Sequence, residues 1–175
     1  GLPRSWSRDG RSILFSHESP DSTASLNLLP LEGGPVQRLA AIKFTGAASL
    51  SPDGRYVAYV REHQRNRDIY VQPVDGGDPV PVTSDAAADA DPLWAPSGKF
   101  LLFKSNRQLD KWGLWVVPVE GPTPTGSPTL VRHDIGDATL FSWSHDGKLL
   151  FSSEHMSAHI YAVILDPSTE EVRGT

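Results

Sequence analysis

The stretch Ser49-Leu50-Ser51-Pro52-Asp53-Gly54-Arg55 decides the fold, because three variants of it recur along the 175-residue chain. The unit returns about every 45 residues, which is typical of arrays built from small supersecondary units. A large apolar residue stands four positions before each central glycine. The other copies read Ser5-Trp6-Ser7-Arg8-Asp9-Gly10-Arg11, Leu93-Trp94-Ala95-Pro96-Ser97-Gly98-Lys99 and Ser142-Trp143-Ser144-His145-Asp146-Gly147-Lys148.

Each unit is predicted to form four short β-strands. After the turn of the second unit come Tyr56-Val57-Ala58-Tyr59, then Ile69-Tyr70-Val71, then Gly76-Gly77 and Val80-Pro81-Val82-Thr83. Short β-branched and aromatic runs between Gly, Pro and Asp indicate strands, and the lack of a 3.6-residue apolar period predicts almost no helix. The second strand is apolar on both faces, so both faces must be covered. In the fourth unit, the sequence does not predict a convincing fourth strand.

The second unit, with its Ser-Pro-Asp-Gly-Arg turn, Asp68-Ile69-Tyr70-Val71, Asp75-Gly76-Gly77 and Val82-Thr83, resembles the TolB-type, WD-like β-propeller repeat. The resemblance implies an all-β propeller of four-stranded antiparallel blades, with about four blades present. We place the blades approximately at residues 1–40, 45–84, 89–132 and 137–175. Because such propellers usually close with about six to eight blades, we interpret the chain as a fragment of a larger ring. An unusual four-bladed ring is the alternative.

Composition and the absence of certain motifs argue against several classes of function. The net charge of −5 argues against nucleic-acid binding, and the absence of cysteine excludes disulfides and thiolate metal sites. No apolar run is long enough to insert into a membrane. The chain contains neither a Gly-x-Ser-x-Gly elbow nor a His-Glu-x-x-His motif. We therefore predict no catalytic residue, cofactor or metal site in these residues.

Two repeated residue types have a structural interpretation and a functional one. Trp6, Trp94 and Trp143 could form a ladder that stacks a ligand, but packing between blades is favoured, since the repeat needs a bulky group there. The aspartates that precede the turn glycines could be acid or metal sites. A turn-forming role is favoured, since each directly precedes a turn glycine. These aspartates are Asp9, Asp53 and Asp146.

The candidate binding residues lie on one predicted side of the propeller. In an up-and-down blade, the Asp-Gly and Gly-Gly turns emerge on one side, here called the turn face. The second turn of each blade and the blade-to-blade connections emerge on the other side, here called the variable face, and loops on a rigid scaffold often carry function. The partner-binding candidates are Arg61, His63, Arg65, Arg67, Arg107, Trp112, His155 and His159. The connections are acidic, with Asp85, Asp89, Asp91, Asp134 and Asp137.

Trp112 is the expected anchor for a partner, provided that it is exposed, because Trp and Arg dominate interface energetics. A solvated face with weak surface ion pairs is the alternative.

The favoured function is a non-catalytic scaffold that binds a protein partner or small ligand. The favoured location is a bacterial periplasm or cell envelope, and the cytoplasm is the alternative location. One alternative is the propeller domain of a prolyl-oligopeptidase-like serine peptidase whose catalytic domain lies outside this chain. Another is the sensor domain of a transcriptional regulator or kinase. Open blade edges are also expected to favour self-association.

Overall fold

The computed structural model describes residues 1–18, 24–42, 44–108, 111–144, 148–155, 157–165 and 172–174. Over these residues the backbone forms β-strands and no helix. The strands are β1 Leu2–Trp6, β2 Ser12–Glu18, β3 Ala24–Pro30, β4 Gln37–Ile42, β5 Phe44–Leu50, β6 Tyr56–His63, β7 Asn66–Pro73, β8 Val80–Pro81, β9 Asp89–Trp94, β10 Phe100–Gln108, β11 Lys111–Glu120, β12 Thr123–Pro124, β13 Thr129–Arg132, β14 Thr139–Trp143, β15 Lys148–His155, β16 Ser157–Leu165 and β17 Val172–Gly174.

Each sequence repeat folds into one antiparallel sheet whose strands pair in chain order. Sheet I contains β1 to β4, sheet II contains β5 to β8, sheet III contains β9 to β13, and sheet IV contains β14 to β17. In sheet III, β11 pairs with both β12 and β13, so that a short hairpin is added to the basic pattern. The four sheets adopt a propeller arrangement, which confirms the predicted all-β propeller of four-stranded antiparallel blades.

The fourth unit does contain a fourth strand, contrary to the sequence expectation. β17 pairs with β16 through Val163↔Gly174, Ile164↔Arg173 and Leu165↔Val172. A three-residue edge strand is held by backbone hydrogen bonds, so it does not need the apolar run that the expectation was based on.

The Asp-Gly turns show why this dipeptide recurs. Gly54 has a φ of 71° and its N–H donates to the carbonyl oxygen of Ser51 at 2.9 Å. In the first turn, Asp9 Oδ1 accepts hydrogen bonds from Ser7 Oγ at 2.6 Å and from the Arg11 N–H at 3.0 Å. The bond from Ser7, helped by that from Arg11, lowers the pKa of Asp9. The turn-forming role is thus confirmed for Asp9 and, through the same contacts, for Asp53; Asp146 lies outside the described residues.

The core lies between neighbouring sheets rather than within one sheet. In β6, Val57 and Tyr59 pack into a cluster with sheet I, whereas Ala58 and Val60 pack into a cluster with sheet III. The second strand of sheet II is therefore covered on both faces, as its uniformly apolar sequence predicts. A third cluster joins sheets III and IV around Leu102.

The large residue four positions before each turn glycine packs between sheets in three of the four repeats. Leu50, Trp94 and Trp143 belong to or pack against the three clusters described above. Trp6 is different, with 61% of its surface exposed, so the expected inter-blade packing is wrong at this position. Trp6 lies on sheet I, and within the described part of the chain no core cluster joins sheet I to sheet IV.

Candidate functional site

Among the described residues of the variable face, the hairpin tip between β6 and β7 has two consecutive residues in the left-handed region. His63 and Asn66 are paired, which leaves a two-residue loop of Gln64 and Arg65 with φ values of 50° and 70°. Such loops favour Asn-Gly, because side chains other than Gly and Asn fit poorly in the left-handed region. Arg65 is exposed at the end of this loop.

Backbone strain is concentrated on the variable face. The non-glycine residues with positive φ in the described chain are Gln64, Arg65, Asp91 and Asp134; Asp91 lies at the bulge within β9, and the other three lie in loops on this side. Over the described residues, the turn face instead uses glycine where its turns need a positive φ, as at Gly54 and Gly76. Residues held in rare backbone conformations cluster at binding and switch regions of proteins.

Arg107 organises the surface next to this hairpin. Its Nη2 lies 2.8 Å from Asp85 Oδ2, and 3.1 and 3.2 Å from the two carboxylate oxygens of Asp89. Its Nε donates to Ser105 Oγ at 2.9 Å. The guanidinium carbon also lies 4.9 Å from the centre of the Trp115 ring, within cation–π range. The Arg107 side chain is therefore fixed by several contacts at once.

Asp89 supplies a buried charge beneath Arg107. Asp89 is completely buried, and burial raises its pKa. Hydrogen bonds from Ser105 and Thr83 and the charge of Arg107 act in the opposite direction. Burial, followed by the charges of Asp89 and Asp85, also raises the pKa of Asp68. Sheets II and III thus contribute a compact set of carboxylates around one guanidinium.

A cleft of about 730 Å³ separates the hairpin tip from this network. Asn66 Nδ2 donates to the Asp85 carbonyl at 2.7 Å, and the Ala88 N–H donates to Asn106 Oδ1 at 2.8 Å, so side-chain amides fix the connection between sheets II and III. The volume is in the range of binding sites for small molecules or single side chains. The cleft is lined by Arg65, Asn66, Asp85, Ala86, Ala87, Ala88, Asn106, Arg107, Gln108 and Trp115.

The structure brings together only some of the sequence candidates. Arg65 and Arg107 line the same cleft, and Arg61, His63 and Arg67 are exposed along the same hairpin. The Arg61 guanidinium carbon lies 5.3 Å from the centre of the Tyr70 ring. His155 and His159 stand on β15 and β16, and their side chains lie outside the described part of the structure.

Trp112 occupies a different environment from that expected of an exposed anchor. It is half-buried and packs against the cluster between sheets III and IV. Lys104 Nζ lies 5.3 Å from the centre of its ring, and the same ammonium lies 2.9 Å from Asp91 Oδ2 and donates to the Ala138 carbonyl at 2.6 Å. Truncation of Trp112 would therefore disturb packing as well as any binding.

Sequence reasoning did not select Asn66, Asn106 or Trp115, although all three line the cleft. Their partners lie 18 or 19 residues away along the chain, or on a neighbouring strand. The sequence predicts that the connections are acidic, but it does not predict which cation pairs with which carboxylate: Lys104 lies 2.9 Å from Asp91, and Lys111 lies 2.6 Å from Asp134. In the described residues, no group of three or more His, Cys, Asp or Glu side chains is arranged to hold a metal ion.

Comparison with known proteins supports the fold. TolB from Acinetobacter baumannii superposes with a TM-score of 0.74 at 21% identity, over 99% of this chain and 42% of that one. The chain has a TolB-like β-propeller fold. A putative TolB from Agrobacterium tumefaciens matches with a TM-score of 0.66 at 18% identity, over 99% of this chain and 79% of that one. No protein-family model matches the chain.

At the sequence level, the TolB-like chain is similar to an uncharacterized peptidase, YuxL, of Bacillus subtilis. The two are 31% identical over 89 residues, which is 47% of this chain but 14% of that relative. The chain thus spans a small part of this relative's length.

Over the described residues, the structure contains no helix that could cross a membrane.

Proposed function

We propose that this TolB-like propeller is a non-catalytic scaffold that binds a protein partner through its variable face. The β6–β7 hairpin, with Arg61, His63, Arg65 and Arg67, and the adjoining cleft beside Arg107 form the contact surface. The resemblance to the TolB repeat favours a bacterial periplasm or cell envelope as the location. The observation that carries the proposal is the strained, exposed Arg65 at the tip of this hairpin.

The residue types at the hairpin tip support binding, because the two-residue loop requires left-handed backbone but does not require Gln and Arg in it. A two-residue hairpin loop would form more readily with Asn and Gly, yet Gln64 and Arg65 occupy the left-handed positions. Arg65 is exposed and forms no ion pair within the described part of the chain that would compensate for its conformation. A partner that contacts the arginine would provide such compensation.

The Arg107 network supports binding because it makes one wall of the cleft rigid. Arg107 is held by Asp85, Asp89 and Ser105, so its position does not depend on a partner. The adjacent hairpin residues project into solvent from this wall. A fixed wall beside exposed arginines reduces the entropy that a partner must overcome on binding.

Quantitative affinity enrichment tests the proposal with a charge-matched control. The Arg65→Ala/Arg67→Ala variant removes two positive charges from the variable face, and Arg55→Ala/Lys99→Ala removes two from the turn face. We expect at least one protein retained by the wild type and the turn-face variant to be lost with the variable-face variant. Equal retention by all three baits would overturn the proposal. Both variants change only exposed residues, and a thermal unfolding scan verifies that each is folded.

A peptidase propeller is the second candidate, favoured by the 31% identity to an uncharacterized peptidase. In that case the chain would be one domain of a protein with a separate serine hydrolase domain. Labelling the full-length natural protein with a fluorophosphonate probe distinguishes the two functions. An active-site label would assign the peptidase role. Absence of label, with partner enrichment through the variable face, would assign the scaffold role.

A further inference from the structure

A second cavity, here called the axial cavity, is lined by the first strands of the sheets and by the turns after them, away from the cleft beside Arg107. Its volume is about 600 Å³, and the first strands of all four sheets or the turns after them contribute to its wall. Arg4, Trp6 and Arg8 come from the first repeat, Ser49 from the second, Trp94 from the third and Trp143 from the fourth. The cavity is large enough for a small organic molecule.

The charge of this wall has one sign. Among the described lining residues there are two arginines, five serines and three tryptophans, and no aspartate, glutamate, lysine or histidine. Arg8 forms no ion pair within the described chain, and the neighbouring Asp9 carboxylate is engaged by Ser7 and the Arg11 N–H. The protein as a whole is acidic, with a net charge of −5, so the cationic lining is a local feature.

Arg8 is positioned across the end of the cavity. Its Nη1 donates to the carbonyl oxygen of Pro96 at 2.6 Å, a contact that joins the first turn of sheet I to that of sheet III. A guanidinium has five N–H donors in a fixed planar arrangement, and this bond uses one of them. Arg4 is oriented by a hydrogen bond from its Nε to Ser16 Oγ at 2.9 Å.

The tryptophans give the cavity an apolar surface. Trp94 and Trp143 are packed between sheets, but Trp6 is 61% exposed and presents its ring at the cavity wall. Ser49 Oγ and the Nε1 atoms of Trp94 and Trp143 are buried without a hydrogen-bond partner in the described part of the chain. Because these atoms are buried, they are not themselves contact points for a ligand, and the exposed ring of Trp6 is the aromatic contact surface.

We infer that the axial cavity binds an organic anion, namely a carboxylate attached to an aromatic or other apolar group. The carboxylate pairs with Arg8, whose planar donor groups match its geometry. The apolar part of the ligand lies against Trp6. Carboxylates of this kind occur in small aromatic acids and at the C-terminus of a peptide, and both sources present the same chemistry to the cavity.

Isothermal titration calorimetry with matched ligands tests this inference. Indole-3-acetate and indole-3-acetamide have nearly the same shape and differ in charge, and the tripeptide Ala-Ala-Trp is compared with its C-terminal amide in the same way. We expect the 175-residue chain to bind at least one of the acids with 1:1 stoichiometry and to bind the corresponding amide much more weakly. Tighter binding of indole-3-acetate would assign a small acid, and tighter binding of the peptide would assign a chain terminus.

Variants locate the binding at the axial cavity. Arg8→Gln should weaken binding of the acid about tenfold, since it removes one charge-assisted interaction. Arg11→Gln, an exposed arginine on the same turn and outside the cavity lining, should have no effect. Trp6→Ala should weaken acid and amide by a similar factor. Equal binding of acid and amide, equal effects of the two arginine variants, or no binding of either acid at millimolar concentration would overturn the inference.

Discussion

The Nη2 atom of Arg107 lies 3.1 Å from Oδ1 and 3.2 Å from Oδ2 of Asp89, a carboxylate with no exposed surface. Asp89 begins the first strand of sheet III and Arg107 stands near the end of the second, so the pair ties these strands together at the variable face. The same guanidinium reaches Asp85 in the connection from sheet II. One side chain thus links the packing of the blade to the wall of the candidate binding cleft.

Removal of Arg107 should destabilise the whole domain. In Arg107→Met, the Asp89 charge would stay buried without its cationic partner, which typically costs about 3–5 kcal/mol. Arg67→Ala, on the exposed part of the hairpin, should change the free energy of unfolding by no more than about 0.5 kcal/mol. Denaturant unfolding measures both values. A similar, small effect of the two substitutions would show that the Arg107–Asp89 pair does not hold the cleft wall.

The raised pKa of Asp89 predicts a pH dependence of stability. Because the folded state holds this proton more tightly than the unfolded chain, ionisation of Asp89 disfavours the fold, and protonation removes that penalty. The free energy of unfolding of the wild type, relative to Asp89→Asn, should therefore increase as the pH falls from 7 towards the ordinary carboxyl value of about 4. The measurement is denaturant unfolding of both proteins across this range.

Asp9 provides a control of opposite sign. Hydrogen bonds lower the pKa of Asp9, so its ionised carboxylate stabilises the fold above the ordinary carboxyl pKa. This stabilisation is lost as the pH falls through the lowered pKa. The wild type should lose stability relative to Asp9→Asn only below about pH 4. If the Asp89 and Asp9 comparisons changed in the same direction with pH, the account of the buried carboxylate would be wrong.

Trp6 and Trp94 occupy equivalent positions in the repeat but should differ in their contribution to stability. Trp94 is 3% exposed and its ring stacks on Tyr56 with centroids 6.4 Å apart, so Trp94→Ala should cost about 3–5 kcal/mol. Trp6 is 61% exposed, so Trp6→Ala should cost no more than about 0.5 kcal/mol. Thermal and denaturant unfolding of the two variants test this difference. A large cost at Trp6 would mean that its ring is covered in the folded protein.

Relief of backbone strain at the hairpin tip should stabilise the domain. Asn adopts the left-handed conformation more readily than Gln, so Gln64→Asn should stabilise the fold by about 0.5–1 kcal/mol. For a domain of this size, such a change raises the Tm by roughly 1–4 °C. Gln72→Asn, on β7 in extended backbone, is the control and should not raise the Tm. A decrease in Tm for Gln64→Asn would contradict the left-handed conformation at this position.

The repeat made the fold predictable because its most regular features are local. The turn at Asp53 and Gly54 is formed by hydrogen bonds between residues no more than five apart in sequence. The apolar run that begins at Tyr56 predicts that both faces of the strand are covered, and the two clusters on either side of β6 show that they are. The sequence does not predict the fourth strand of sheet IV, because a short edge strand is held by backbone hydrogen bonds and needs no apolar side-chain pattern. Trp6 was misassigned because its exposure depends on what packs against sheet I, which its own repeat does not determine.

The candidate site was less predictable because its contacts are distant in sequence. Arg107 was selected as a surface residue, but its partners Asp85 and Asp89 lie 22 and 18 residues earlier and convert it into a fixed structural element. The left-handed conformation of Arg65 has no sequence signal, since Gln-Arg is not a residue pair typical of this loop. The contacts of Arg107 join the connection from sheet II to sheet III, whereas the conformation of Arg65 follows from the two-residue loop between His63 and Asn66.

The central claim, that the variable face contacts a protein partner, is tested most directly by site-specific photo-crosslinking. The photoreactive residue p-benzoylphenylalanine is introduced at His63 on the variable face or at Lys99 on the turn face, both exposed positions, and the protein is irradiated in cells of its natural host. The account predicts a discrete crosslinked protein from the His63 position and none from the Lys99 position. Crosslinks from Lys99 alone, or the same products from both positions, would contradict it.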